Sequence, residues 1–229
     1  MLEALREGGV RRVLVARGVE RKFIKRLEEA GARYELVPRI ELDQLVRTTH
    51  HQGVVAEIRD IRLADPQEPL KRARQRGEKP LLVLLDGVTD PRNYGAIIRS
   101  AEALGAHGVV SEARRSAPLS AVAVKASAGA TYHLPVAQVP NLPRYITELK
   151  QAGVWVYGLA GEGETALEEA DYDRPLAWVV GSEGAGLRRL VRDRCDQLVH
   201  IPLAGKTASL NAAVAAGIAI HWAAAARRG

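Results

Sequence analysis

The chain has 229 residues, enough for one large domain or two unequal ones, with 47% apolar residues, 4% aromatic residues and a formal charge of +6. It has no run of 18 uninterrupted apolar residues, its opening MLEALREGG has charge where a leader would have apolar residues, and Cys195 is its only cysteine. A membrane span, a secretory leader, a disulfide framework and a zinc-type ligand set are therefore not expected, and a cytoplasmic protein is. The positive charge fits an acidic partner such as nucleic acid, but so few aromatics argue against a base-stacking platform.

In chain order, Val13–Ala16 reads as a strand, Glu20–Ala30 as a helix stopped by Gly31, and Tyr34–Val37 as a strand closed by Pro38. A short helix over Glu41–Val46 and a strand over Gly53–Ile58 complete a small α/β unit spanning residues 1–60. Residues 61–79 lose periodicity and gain Pro and charge, which predicts a linker with a basic helical turn at its end. Beyond Pro80, apolar strands are expected at Leu81–Leu85, Gly108–Val110, His133–Val136, Val154–Leu159, Leu176–Val180 and Leu198–Ile201. Helices are expected near Asn93–Leu104, Leu119–Ala128, Pro143–Ala152, Leu187–Cys195 and Leu210–Ala226. Short apolar strands separated by helices specify a parallel sheet covered on both faces. Ligands of such sheets bind outside the carboxyl ends of the strands.

The charge is uneven. Lys and Arg number 12 against 10 Asp and Glu in residues 1–60, 6 against 3 in residues 61–80, and 15 against 14 in residues 81–229. Arg21, Lys22, Lys25 and Arg26 form one cluster and Lys71, Arg72, Arg74 and Arg76 another. Each is either a solvated helix face or a contact for phosphates.

Three loops at expected strand ends are rich in Gly, Asn, Ser and charge: Asp86–Gly95, Gly181–Gly186 and Ile201–Asn211. The glycines of the second run G-x-x-G-x-G, which is neither the dinucleotide fingerprint nor a P-loop. It either approaches a cofactor with its backbone or simply ends a strand and caps a helix. Arg99 lies off the apolar stripe Ile97, Ile98, Ala101 and Leu104, where it could pair with Glu102 on the surface or present a guanidinium fork to RNA phosphate or a developing oxyanion. Glu183 is a solvated turn residue or a positioned acceptor. Ser209 reads as an N-cap with Asn211 in the first helical turn, unless either faces a site.

Three longer stretches, DGVTDPRNYGAIIRSAEALGAHGVV (Asp86–Val110), VVGSEGAGLRRL (Val179–Leu190) and IPLAGKTASLNAAVAAGIAI (Ile201–Ile220), resemble in order the three motifs of the SpoU/TrmH (SPOUT) family of RNA ribose 2′-O-methyltransferases. KASAGATYHLPVA (Lys125–Ala137) is similar to the stretch between the first two. HHQGVVAEI (His50–Ile58) is similar to the ribosomal-protein-like RNA-binding domain of the branch that modifies a guanosine of 23S ribosomal RNA. The family usually has Met where Leu203 stands, and LEAL at residue 2 falls inside its usual opening segment.

The resemblance implies an α/β chain: a small N-terminal RNA-binding domain (1–60), a linker (61–79) and a parallel-sheet methyltransferase domain (80–229) with a C-terminal trefoil knot, which periodicity does not show. It implies S-adenosylmethionine as cofactor, held against Leu159, Ala160, Gly181, Ile201, Leu203, Ser209 and Leu210, with no metal. It implies a catalytic set of Asn93, Arg99, Glu183 and Asn211, with Ser209 toward the substrate. It also implies a homodimer, for which the apolar circumference of Ala212–Ile220 offers a surface. Arg21, Lys22, Lys25 and Arg26 are then candidate RNA contacts. A tRNA ribose methyltransferase of the same family and a non-catalytic RNA-binding protein on this scaffold are the alternatives.

Overall fold

A computed structural model describes residues 5, 9–46, 51–58 and 62–227. The opening LEAL up to residue 4, His50 and residue 61 lie outside the described residues. The chain divides into two compact units, Met1–Arg62 and Leu63–Gly229.

In the first unit, strand β1 (Val10–Ala16) runs between β2 (Tyr34–Val37), parallel to it, and β3 (Val54–Ile58), antiparallel. Four consecutive residues of β1, Val13 to Ala16, are buried because both faces of the sheet are covered. Helix α1 (Arg21–Glu29) buries Leu27 against Val13 and Val15, while α2 (Arg39–Val46) buries Leu42 against Leu14 and Ala16. Gly31 stops α1 as expected. It takes a φ of +67°, and the following Ala32 N–H returns to the Leu27 carbonyl at 2.9 Å.

The second unit is built on a seven-stranded sheet in which every paired strand is parallel. Its strands are β4 (Leu81–Asp86), β5 (Gly108–Glu112), β6 (Val136–Val139), β7 (Trp155–Leu159), β8 (Thr165–Ala166), β9 (Leu176–Gly181) and β10 (Gln197–His200), in the spatial order β6-β5-β4-β9-β7-β10-β8. Strand β9 thus enters between β4 and β7, and all six residues of β4 are buried. Leu81, Val83 and Leu85 face a core that includes Ile97, Ile98 and Ala101 of the helix Pro91–Ala103 and Ala216, Ala219 and Ile220 of the last helix (Ala212–Ala226). Leu82 and Leu84 face the other way, toward Leu142, Ile146 and Leu149 of the helix Leu142–Gln151. The expected doubly covered parallel sheet is present.

Several local readings shift. Residues Glu68–Arg76, inside the expected linker, form a nine-residue helix, α3, whose Leu70 and Ala73 are buried and whose Gly77 supplies the left-handed cap. The helix Pro91–Ala103 that follows β4 is then α4. The strand expected at His133–Val136 begins at Val136. Leu134 closes a turn onto Ala130, and Pro135 has no N–H to enter a ladder. The helix expected over Leu187–Cys195 is only Arg189–Arg192. Strand β8, two residues long, left no periodic signal. At the opposite end of the sheet from the motif loops, the Arg227 guanidinium donates to the carbonyls of Lys79 (2.8 Å), Pro80 (3.0 Å), Arg174 (2.6 Å) and Tyr172 (3.2 Å), fastening the end of the last helix.

Candidate active site

The loops after β4, β9 and β10 converge at the carboxyl ends of the strands, where two helices begin. Asp90 caps α4 by accepting the Arg92 N–H at 2.8 Å, and Pro91 occupies the first helical position. That places Asn93 in the first turn. The last helix is capped by Asn211, not by Ser209 as the sequence suggested. Asn211 Oδ1 accepts the N–H groups of Ala213 (2.9 Å) and Val214 (3.2 Å), and Ser209 lies exposed ahead of the helix.

The cap fixes which way the Asn211 amide points. With Oδ1 committed to backbone donors, Nδ2 must face outward. It donates there to Asn93 Oδ1 at 3.1 Å and to Glu183 Oε1. Asn93 Nδ2 donates to the same Glu183 oxygen at 3.0 Å. Three segments distant in sequence thus close a triangle around one carboxylate at two helix N-termini, where a negative charge is favoured. Two amide donors converge on one Glu183 oxygen, which accepts both.

Beside the triangle lies a cleft of about 690 Å³. Leu159, Ala160, Gly181, Ile201, Leu203, Ser209 and Leu210 all line it, together with Glu183 and Asn211. Leu203 and Leu210 are 42% and 37% exposed. Apolar side chains left open at the wall of a cleft suit a flat heterocycle, with backbone groups of the glycine turn supplying polar partners. The cleft therefore fits a nucleoside-bearing cofactor. Besides lining the cleft, Gly181 is required by the turn itself. A Cβ there would stand 2.3 Å from the Gly186 carbonyl carbon and 2.7 Å from the Leu187 nitrogen, so Gly181 lets the turn fold back on its own strand. A bulky residue would distort the turn before it touched a ligand.

Arg99 is not in the triangle. It is exposed, and six residues on from Asn93 at 100° per residue it points roughly 120° away around α4. Among the described residues it makes no ion pair with Glu102, which leaves its guanidinium available. Arg21, Lys22, Lys25 and Arg26 are likewise placed on α1 of the first unit and exposed, with Lys25 3.8 Å from Glu29. Burial pushes the Cys195 thiol up to about 12, which rules it out as a thiolate nucleophile at neutral pH. No cluster of metal-ligating side chains occurs among the described residues.

One group escaped the sequence reading. Asp86, fully buried at the end of β4, accepts the Arg188 N–H at 2.8 Å and its Nε at 2.5 Å, while the same guanidinium reaches Glu112. A carboxylate ending the run LLVLLD was itself a signal, since a buried charge needs a partner. The partner, 102 residues away, was not readable.

A parallel α/β sheet with a glycine-turned cleft at its carboxyl edge, and a polar triangle beside it, defines a nucleotide-cofactor enzyme scaffold. Residues 80–221 match the SpoU rRNA methylase family and residues 1–64 match the domain described as RNA 2′-O ribose methyltransferase substrate binding. The chain belongs to the SpoU methylase family. A TrmH-family tRNA/rRNA methyltransferase of Bacillus subtilis is 42% identical over 205 residues, 90% of this chain and 82% of its own length. A tRNA/rRNA methyltransferase of Synechocystis is 41% identical over 88% of this chain, which spans only 52% of that protein. Among solved structures, the SpoU methyltransferase AviRb of Streptomyces viridochromogenes in complex with AdoMet superposes with a TM-score of 0.78 at 30% identity, covering 99% of this chain and 87% of AviRb.

Proposed function

We propose that the protein transfers a methyl group from S-adenosylmethionine to a ribose 2′-hydroxyl of RNA, in the branch that acts on a guanosine of 23S ribosomal RNA. The observation that carries the reading is the Asn93–Glu183–Asn211 triangle set against the cleft. S-Adenosylmethionine supplies a methyl group on a sulfonium that departs as a neutral thioether. What the protein must add is alignment, and somewhere for a weakly acidic hydroxyl proton to go.

Glu183 holds the Asn93 and Asn211 amides in a fixed array, and these orient the sugar. A guanidinium is a poor proton acceptor, so Arg99 anchors a phosphate and stabilises the nascent alkoxide rather than acting as base. Water or a substrate phosphate takes the proton. Ser209, at the exposed edge of the cleft, is close enough to serve cofactor or substrate. Residues 1–60, with Arg21, Lys22, Lys25 and Arg26, supply RNA affinity, and residues from 80 onward supply the chemistry. The trefoil knot belongs to the same proposal. It is supported by β9 entering between β4 and β7, and by the close approach of Gly163 to the Leu198–Val199 backbone.

A homodimer completes the reading. The groove between α4 and the last helix leaves Val214 50% and Trp222 39% exposed beside Ala96, Gly217 and Ile218, an apolar face that a second copy would cover.

Calorimetry tests the cofactor and methylation mapping tests the substrate. S-Adenosylmethionine and its demethylated product should bind and NAD should not. A 2′-O-methyl group on ribosomal RNA should disappear when the gene is removed. Saturable NAD binding with no response to S-adenosylmethionine would sink the enzyme class, and disappearance of the mark from tRNA instead would transfer the substrate to tRNA.

A further inference from the structure

We propose that Asp86 and Arg188 form a clamp that positions Glu183 and the glycine wall of the cofactor cleft; the inference rests on the methyl-transfer reading above. Apart from the bonds of Asn93 and Asn211 to Glu183 and the packing of Leu187, the turn Ser182–Leu187 is largely exposed and short of side-chain anchors. Residues 183–186 are exposed, Gly184 and Gly186 have φ of +79° and +65°, and inside the turn Ser182 and Gly186 exchange backbone bonds at 3.0 and 3.2 Å, with the Ser182 hydroxyl donating to the Gly186 carbonyl at 3.5 Å. Yet this turn carries the carboxylate on which Asn93 and Asn211 converge.

Asp86 grips the turn at both ends. Its backbone stands opposite Gly181 in the β4–β9 ladder, which fixes where the turn departs. Its carboxylate takes both the main-chain N–H of Arg188 at 2.8 Å and the side-chain Nε at 2.5 Å, which fixes where the turn returns. The next residue, Gly87, turns the loop after β4 with a φ of +76° and lies alongside Ser182 of the turn. Glu112 at the end of β5 receives the other arm of the Arg188 guanidinium, and Arg115 stands 3.6 Å from Glu112 on its far side. The guanidinium therefore joins the ends of β4 and β5 to the end of the turn.

Burying these charges is a poor way to gain stability, because desolvation offsets most of the attraction and an apolar pair of similar volume does as well. What a two-armed guanidinium between fixed carboxylates provides is direction. Neither Asp86 nor Arg188 is among the groups that orient the sugar, so both are positioning residues.

The test compares the full-length wild type with Arg188→Gln, Arg188→Lys and the charge-balanced pair Asp86→Asn with Arg188→Gln. The paired variant leaves no uncompensated Asp86 carboxylate if the single variant folds poorly. Each is measured for S-adenosylmethionine affinity, RNA affinity, single-turnover methylation and amide hydrogen exchange over residues 182–187. The clamp predicts a cofactor affinity lower by about tenfold, on the order of one hydrogen bond. It predicts a methylation rate lower by about 10²-fold, the cost of a roughly 1 Å misplacement. Exchange should speed up in the turn alone and RNA affinity should stay within about twofold. Arg188→Lys, which keeps the charge but reaches one carboxylate at a time, should recover part of both effects. Wild-type cofactor affinity and turn exchange in the paired variant would overturn the clamp, as would defects that merely track a general rise in exchange across the chain. If the wild type itself methylates no RNA, the methyl-transfer reading fails, and affinity and exchange still decide the clamp.

Discussion

Asn211 has two tasks whose separation can be measured. Its side-chain oxygen caps the last helix, and its amide nitrogen reaches Asn93 and Glu183. Serine keeps an oxygen for the cap and cannot make the second reach. Asn211→Ser should therefore melt close to wild type while turnover falls about 10²–10³-fold, as when a preorganised donor is removed from an active site. Asn211→Ala should show the same kinetic defect and also be less stable by about 1 kcal/mol in a denaturant titration. Arg99 makes the opposite case, because it is exposed and supports nothing structural. Arg99→Ala should leave stability within about 0.5 kcal/mol and lower the single-turnover rate about 10²-fold or more. A wild-type rate would return Arg99 to the solvated surface.

Apart from the two-residue β8, the strands of the larger unit were legible as short apolar runs, and burial on both faces of a parallel sheet demands that pattern. The glycine-rich loops were legible for a related reason, since the carboxyl ends of such strands must turn sharply where ligands bind. What the pattern could not carry was anything decided by a distant partner. The helix Glu68–Arg76 looks like a charged linker until Leu70 and Ala73 find their core, and Asn211 rather than Ser209 is the cap because the helix begins only at Ala212. His107 belongs to the same group. Its ring, 2% exposed, accepts the Leu81 N–H at Nδ1 (3.0 Å) and so donates from Nε2 to Glu78 (2.9 Å), bracing the start of β4. Burial is the main cause lowering its pKa below the usual 6.5, against the pull of Glu78. Above that value the ring is neutral whether folded or unfolded. As the pH falls below it, the unfolded chain binds a proton that the folded one resists, so stability declines by up to ~1.4 kcal/mol per pH unit until the folded ring titrates too. Melting temperature should accordingly drop between pH 7 and about 5, and His107→Asn should flatten that part of the profile.

Across the molecule, most of the excess positive charge lies ahead of the chemistry in the chain, although the basic helix Glu68–Arg76 belongs to the same unit as the proposed site. Most of the positive excess precedes residue 81, and every residue proposed for catalysis follows it. RNA affinity of the full chain should fall steeply with salt. Neutralising Arg21, Lys22, Lys25 and Arg26 should weaken binding and flatten the slope by roughly 0.7–0.9 for each phosphate no longer neutralised, with maximal rate less affected. A fragment of residues 63–229, which keeps Leu70 in its core where a cut at residue 80 would remove it, should retain cofactor affinity and bind RNA far more weakly. Equal slopes in all three would make the N-terminal charge a solvated face. Light scattering should give twice the chain mass at micromolar concentration, and Trp222→Glu should halve it; a monomer throughout would remove the proposed partner from the exposed groove.

The spatial order of the sheet also sets a timetable for synthesis. Strand β4 pairs with β9, so Leu81–Asp86 must wait for Leu176–Gly181 to leave the ribosome. At about 5–20 residues per second that wait is roughly 5–20 s, during which the apolar run Leu81–Leu85 has only β5 beside it in the sheet. The cleft is completed later still, because its walls run from Leu159 to Ala215. A nascent chain therefore cannot hold the cofactor until nearly all of the second unit has emerged, and between the emergence of β4 and that of β9 its central strand keeps one open edge.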